Sequence, residues 1–140
     1  MASVLRVSDA AAIGLHAAVL LAANRDRLLS NADIAAALGV SEAHLSKVLQ
    51  RLTRAGLTES TRGPGGGFRL AGRNGATSLL AVYEAIEGPL KPNNCLLSTS
   101  ICGGRNCIFG RLLKDLDSQV RRYLGKTKLS ALAGKFRRRK

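Results

Sequence analysis

SNADIAAALGVSEAHLSKVLQRLTRAG, residues Ser30–Gly56, decides how this chain folds. Ser30 precedes Asn31-Ala32-Asp33-Ile34-Ala35-Ala36-Ala37-Leu38, and its hydroxyl suits the N-cap of a two-turn helix. Asp33, three residues on, puts a carboxylate in the first turn, where the helix dipole favours it. Gly39 supplies the left-handed backbone that ends a helix sharply. Ser41 then caps a second helix that runs to about Ala55 and is closed by Gly56. On that helix Leu45, Val48, Leu49 and Leu52 form an apolar stripe. His44, Lys47, Arg51 and Arg54, spaced three, four and three apart, share a different face. A short helix, a glycine turn and a second helix with a basic exposed face make the helix-turn-helix pattern. Its second helix enters the DNA major groove. Ordinary solvation of a charged face is the plainer reading of the same residues.

The next segment favours the sharper reading. Leu57–Thr61 and Phe68–Ala71 have strand character, and between them lies Arg62-Gly63-Pro64-Gly65-Gly66-Gly67. Proline and four glycines make a slim hairpin tip without bulky side chains. Arg62 and Arg69 flank it. Such a hairpin after a helix-turn-helix is a wing. Its Gly65 and Gly66 backbone can approach phosphates, and an arginine beside it fits a narrow minor groove. A nucleotide phosphate loop is not expected: no helix follows directly, and the Gly-Lys-Ser/Thr ending is missing.

Working outward, the charge points the same way. The 140 residues hold 22 Lys+Arg against 9 Asp+Glu, a formal net charge of +13. Double-stranded DNA is the expected partner, and an anionic membrane surface the runner-up. Lys47, Arg51, Arg54, Arg62, Arg69 and Arg73 crowd the middle, and Lys135, Arg137, Arg138, Arg139 and Lys140 form a terminal basic tail. With no Trp and few aromatics, stacking of single-stranded bases is not expected. The apolar run Ala10–Ala23 is broken by His16 and too short to span a bilayer, so no membrane partner is expected. A signal-peptide core is its other reading. Three cysteines make no closed disulfide framework, and the chain reads as cytoplasmic.

Ser8–Asn24 is expected to be a first helix, with Ala11, Leu15, Ala18, Val19 and Ala22 at helical spacing and Ser8 or Asp9 as cap. Thr77–Glu87 is a fourth, stopped by Gly88-Pro89. A long helix is expected from Cys107 to Leu124, with Phe109, Leu112, Leu113, Leu116, Val120, Tyr123 and Leu124 along one side. A small winged domain does not easily cover that stripe, so the helix is expected to pack on its copy in a homodimer. Packing on the first helix within one chain is the alternative. A short helix near Leu129–Ala133 finishes the fold. The expected class is mainly α with a small β-hairpin wing. Residues 1–88 form the reading region, 89–106 a cysteine loop, 107–126 the dimerisation helix and 127–140 a short helix and tail, within one domain.

Cys95, Cys102 and Cys107 are the chain's only cysteines, set in a loop rich in Gly, Ser and Asn. Thiolates are the usual ligands of iron–sulfur clusters, and small residues between them let backbone N–H groups face the sulfurs. Zinc, or a metal-free thiol switch, fits the same trio. One ligand is missing. His16 reads as a buried helix residue, while Glu84 and Glu87 are candidates on proximity alone.

The run Arg62-Gly63-Pro64-Gly65-Gly66-Gly67-Phe68-Arg69-Leu70, the preceding helix-turn-helix and the three-cysteine loop together resemble the Rrf2 family of bacterial winged-helix regulators, over nearly the whole chain. The resemblance implies a dimer gripping operator DNA with paired helices and wings, and in many members a cluster that tunes DNA binding. It implies that Ser41, His44, Ser46 and Lys47 reach bases or phosphates and that Arg62 probes the minor groove. IscR-like members carry a glutamate where this chain has Ser46, and a histidine where it has Gly110. NsrR-like members supply an aspartate near the start of the first helix, which here is Asp9, reaching across from the partner subunit. Capping the first helix is Asp9's other reading. The implied function is a repressor controlled by a two-iron or four-iron cluster that senses redox state, nitric oxide or iron. A zinc- or thiol-based regulator, a small iron–sulfur redox protein and a charge-driven nucleoid protein are the alternatives. No enzymatic residue set is visible.

Overall fold

A computed structural model describes residues 7–72, 76–91, 95–103 and 105–135. Arg73 and, in the basic tail, Arg137, Arg138, Arg139 and Lys140 lie outside them. Six helices and one hairpin are present among the described residues: α1 (Asp9–Ala23), α2 (Asn31–Leu38), α3 (Glu42–Arg54), β1 (Thr58–Thr61), β2 (Gly67–Leu70), α4 (Leu79–Glu87), α5 (Leu112–Lys126) and α6 (Leu129–Ala133).

The almost wholly apolar α1 is the hub, because a helix that is hydrophobic all round must be covered on every side. It packs on α4, α6, α3, α2 and β2. Ala11, Ala17, Ala18, Leu21 and Ala22 are buried, with the α3 stripe Leu45, Val48, Leu49 and Leu52 in the same core. Where α1, α3 and α4 meet stands Gly14. A Cβ there would lie 2.0 Å from Ile86 Cδ1 and 3.3 Å from Val48 Cγ1.

The caps fall where the hydroxyls predict. Ser8, Ser30, Ser41 and Ser78 each accept from a backbone N–H three residues on. Gly39 ends α2 at φ 68°, a left-handed conformation that bends the chain directly into α3. α4 begins at Leu79 rather than Thr77. Ser78 is its N-cap, and Leu79 N–H donates to Thr127 O at 3.0 Å while Leu129 N–H donates to Thr77 O at 2.9 Å. That short bridge returns the chain to the body after α5 and seats Leu129, fully buried, in the core.

The long helix starts five residues later than expected. Cys107 to Arg111 form turns, with Gly110 N–H donating to Cys107 O and Leu112 N–H to Phe109 O. Gly110 at φ 59° breaks the helical path at that point. The apolar positions of α5 divide accordingly. Leu124 packs against the core, and a Cβ on Gly125 would touch Leu80 of α4. Leu112, Leu116 and Tyr123 remain exposed. α5 lies on α4, and it is α6 that packs on α1.

Candidate nucleic-acid interface and cysteine loop

The hairpin pairs Thr58 with Leu70, Glu59 with Arg69, Ser60 with Phe68 and Thr61 with Gly67. It is fastened to the body by a third segment that its own sequence did not announce. Leu29 N–H donates to Phe68 O at 3.0 Å, and Phe68 N–H donates to Leu29 O at 2.8 Å. This close approach explains Gly67: a Cβ there would stand 2.4 Å from Leu29 O. On the inner side, the Thr53 and Thr58 hydroxyls meet at 2.8 Å and tie the end of α3 to β1. Helix α3 and the hairpin are thus joined directly, and the hairpin is joined to the body through Leu29.

On that unit the predicted reading residues separate into two groups. Ser41, His44, Lys47, Arg62 and Gly65 are exposed, and Ser46 and Gly66 are half-buried. Ser41 Oγ accepts from His44 N–H at 3.2 Å, so it caps α3 and presents the helix start. Arg51 and Arg69 are engaged within the chain. Arg51 Nη1 donates to Ile86 O in the last turn of α4 at 3.2 Å, and Arg69 Nε donates to Glu59 Oε2 at 3.1 Å across the hairpin. Helical spacing put Arg51 on the basic face; only the position of α4 showed what that face meets there.

A groove of about 370 Å³ runs between α3 and the hairpin, lined among others by Ser46, Gln50, Arg54, Ser60, Thr61 and Arg62. Gln50, which carries no charge and so does not stand out in a basic stripe, lies on this edge: Ser46, Gln50 and Arg54 stand at i, i+4 and i+8, the spacing of one helix edge.

The three thiols are half-buried, and no disulfide joins them. Leu97 N–H donates to Cys95 Sγ at 3.4 Å, and Ser100 Oγ lies 3.6 Å from Cys102 Sγ. Among the described residues no group of three or more His, Cys, Asp or Glu side chains is assembled to hold a metal. Asp9 is exposed and lines a hollow with Ser41 and His44, at the start of α1. That end of α1 nevertheless adjoins the root of the cysteine loop, because Ser8 Oγ donates to Glu87 at the end of α4. Arg121 of α5 donates to Leu90 O at 2.8 Å and ties the same root to α5. His16 is exposed, not buried. Its Nδ1 sits 2.7 Å from Ala12 O on its own helix.

Among the described residues no helix is long and apolar enough to cross a membrane. The profile of the Rrf2 family, described as an iron-dependent transcriptional regulator, matches residues 7–135. BadM of Rhodopseudomonas palustris is 46% identical over 83 residues, 59% of this chain and 53% of that protein. The HTH-type transcriptional regulator IscR of Vibrio cholerae is 34% identical over 72% of this chain and 58% of its own length. The chain thus spans somewhat over half the length of these relatives. Among solved structures, CymR, the global cysteine regulator of B. subtilis, superposes with a TM-score of 0.78 at 26% identity, covering 94% of this chain and 98% of that one. T. potens IscR shares the fold, with a TM-score of 0.73 at 22% identity over 95% of this chain and 89% of that one. With its winged helix-turn-helix, its cysteine loop and this match over residues 7–135, the chain belongs to the Rrf2 family of transcriptional regulators, a family of DNA-binding proteins and not of enzymes.

Proposed function

We propose that the chain is a bacterial cytoplasmic repressor. It binds double-stranded operator DNA as a homodimer, with an affinity set by an iron–sulfur cluster held at Cys95, Cys102, Cys107 and Asp9. One observation carries the coupling: the root of the cysteine loop is tied to three elements at once. Ser8 on the Glu87 carboxylate ties it to α1, Arg51 on Ile86 O ties the turn before it to the reading helix α3, and Arg121 on Leu90 O ties it to α5. A change of loop conformation thereby bears on both the reading head and the helix expected to join two copies.

The donor set fits the group. Three half-buried thiols lie in a polar loop, and backbone N–H and hydroxyl groups already face two of the sulfurs. The fourth position falls to Asp9, whose carboxylate is exposed at the start of α1 while Ser8 does the capping. When bound, a two-iron or four-iron cluster supplies a centre that responds to redox state and nitric oxide. The chain's own part is to hold that centre with thiolates and to let the loop root pull on α3 and α5. Exposed Leu112, Leu116 and Tyr123 on α5 support the homodimer. In it, paired α3 helices reach successive major grooves and the wings the flanking minor grooves.

A metal-free thiol switch is the second reading. It is supported by the presence of three reduced, half-buried thiols in one stretch of chain.

Anaerobic purification followed by iron, sulfide and zinc analysis decides between them. Bound iron and sulfide, together with operator affinities differing about tenfold or more between loaded and stripped protein, are expected. Equal affinities at fixed salt would end the sensor reading and leave DNA binding standing. Metal-free, colourless protein whose affinity follows thiol oxidation would favour the switch.

A further inference from the structure

We propose that Arg51 is a positioning residue: its guanidinium caps the end of α4 and sets α3 against the root of the cysteine loop, instead of holding a phosphate. The inference deepens the coupled-loop reading above and rests on it. It assigns the residue through which α3 and the loop act on each other.

The end of α4 explains why it takes a cation from another helix. α4 stops at Glu87, where Gly88 turns at φ 84° and donates to Glu84 O at 2.9 Å. A helix leaves its last carbonyls without donors of its own, and the Pro89 that follows has no N–H to offer. The same end is negative by the helix dipole. Its last turn adds Glu84 and Glu87 and holds no basic residue. Arg51 of α3 answers both deficits, because its Nη1 donates to Ile86 O at 3.2 Å and brings a positive charge. The side chain of Ile86 is gripped as well. It is buried in a notch that glycine leaves on α1: a Cβ on Gly14 would stand 2.0 Å from Ile86 Cδ1 and 3.3 Å from Val48 Cγ1 of α3. One residue of α4 is thus held by main chain and side chain where α1, α3 and α4 meet. A little further along, Leu90 O is held by Arg121 of α5. A shift of the loop root therefore moves Ile86 O, and Arg51 passes the shift to α3 about two turns beyond His44. An Arg51 drawn to a phosphate would leave the α4 end with its dipole and two carboxylates uncompensated.

The test uses the full chain, reduced and stripped of metal, as wild type, Arg51→Ala and Arg51→Lys, each checked for folding by circular dichroism. Two quantities are measured. One is the rate at which iodoacetamide, a small neutral reagent, alkylates Cys95 with and without a mixed-sequence DNA duplex. The other is the salt dependence of duplex binding. Linkage is reciprocal: a loop that biases α3 is itself biased by DNA bound to α3. Wild type is expected to change its alkylation rate about fivefold or more when the duplex is bound. Arg51→Ala is expected to lose that response and to keep the log–log salt slope, and Arg51→Lys to keep both. A response that persists in Arg51→Ala overturns the assignment and leaves the coupled loop standing. So does a salt slope reduced by about 0.9 per protomer in Arg51→Ala, which would make Arg51 a phosphate ligand. A wild type whose Cys95 reacts equally with and without bound duplex overturns the coupled-loop reading itself, and the inference with it.

Discussion

Gly67 shows how much a single residue can decide. Nothing but a hydrogen fits beneath Leu29 O, so Gly67→Ala must push the hairpin off the body or break the Leu29–Phe68 pairing. A loss of about 1–3 kcal/mol in a denaturant titration is expected, as for other overpacked sites. DNA affinity should fall with it, because the wing would lose its fixed position beside α3. Two residues on the exposed face of α3 should behave differently from each other. Lys47→Ala should weaken binding to every duplex and flatten its salt dependence, whereas His44→Ala should change sequence preference. Equal losses on all sequences for both variants would contradict a base-reading role for His44. The glycines of the wing were legible as a turn, but the carbonyl that forbids a side chain at position 67 belongs to Leu29, far off in sequence. No local pattern could have supplied it.

At the scale of elements, the caps and the apolar stripes of α2 and α3 follow from their residues alone, since each is a contact within one or two turns. α5 does not. Its stripe is continuous in sequence from Phe109 to Leu124, yet Gly110 delays the helix to Leu112, and packing on α4 claims only part of the remainder. Among the described residues Leu112, Leu116 and Tyr123 stay exposed along the helix. Leu116→Asp should therefore leave the helix content of the protein unchanged and, if this face joins two copies, convert a dimer to a monomer in sedimentation equilibrium. A dimer that survives this charge would place the interface elsewhere. Arg121 makes the same point from the polar side. It reads as one more solvated charge on a helix, and its role as the clamp on Leu90 O appears only once the loop root lies against it.

Over the whole molecule, the excess of 13 positive charges predicts strongly salt-dependent binding to DNA. Each phosphate neutralised by the basic face should add about −0.9 to the log–log slope. A slope near zero would mean that the charge serves another partner. The sequence by itself determined the helix-turn-helix, the wing, the direction of the charge and the thiol trio, because periodicity, capping and composition are local and leave their mark on neighbouring residues. Only the tertiary structure decided which arginines remain available. Arg51 is drawn to the end of α4 and Arg69 to Glu59, while Arg54 and Arg62 line the groove beside the wing. Tertiary structure also brought the start of α1, the end of α3 and the flank of α5 to the root of the cysteine loop. The physical reason is the same in each case. A side chain's partner is set by which elements the buried face of α1 gathers around it, and that gathering is a property of the packed core, not of any stretch of chain.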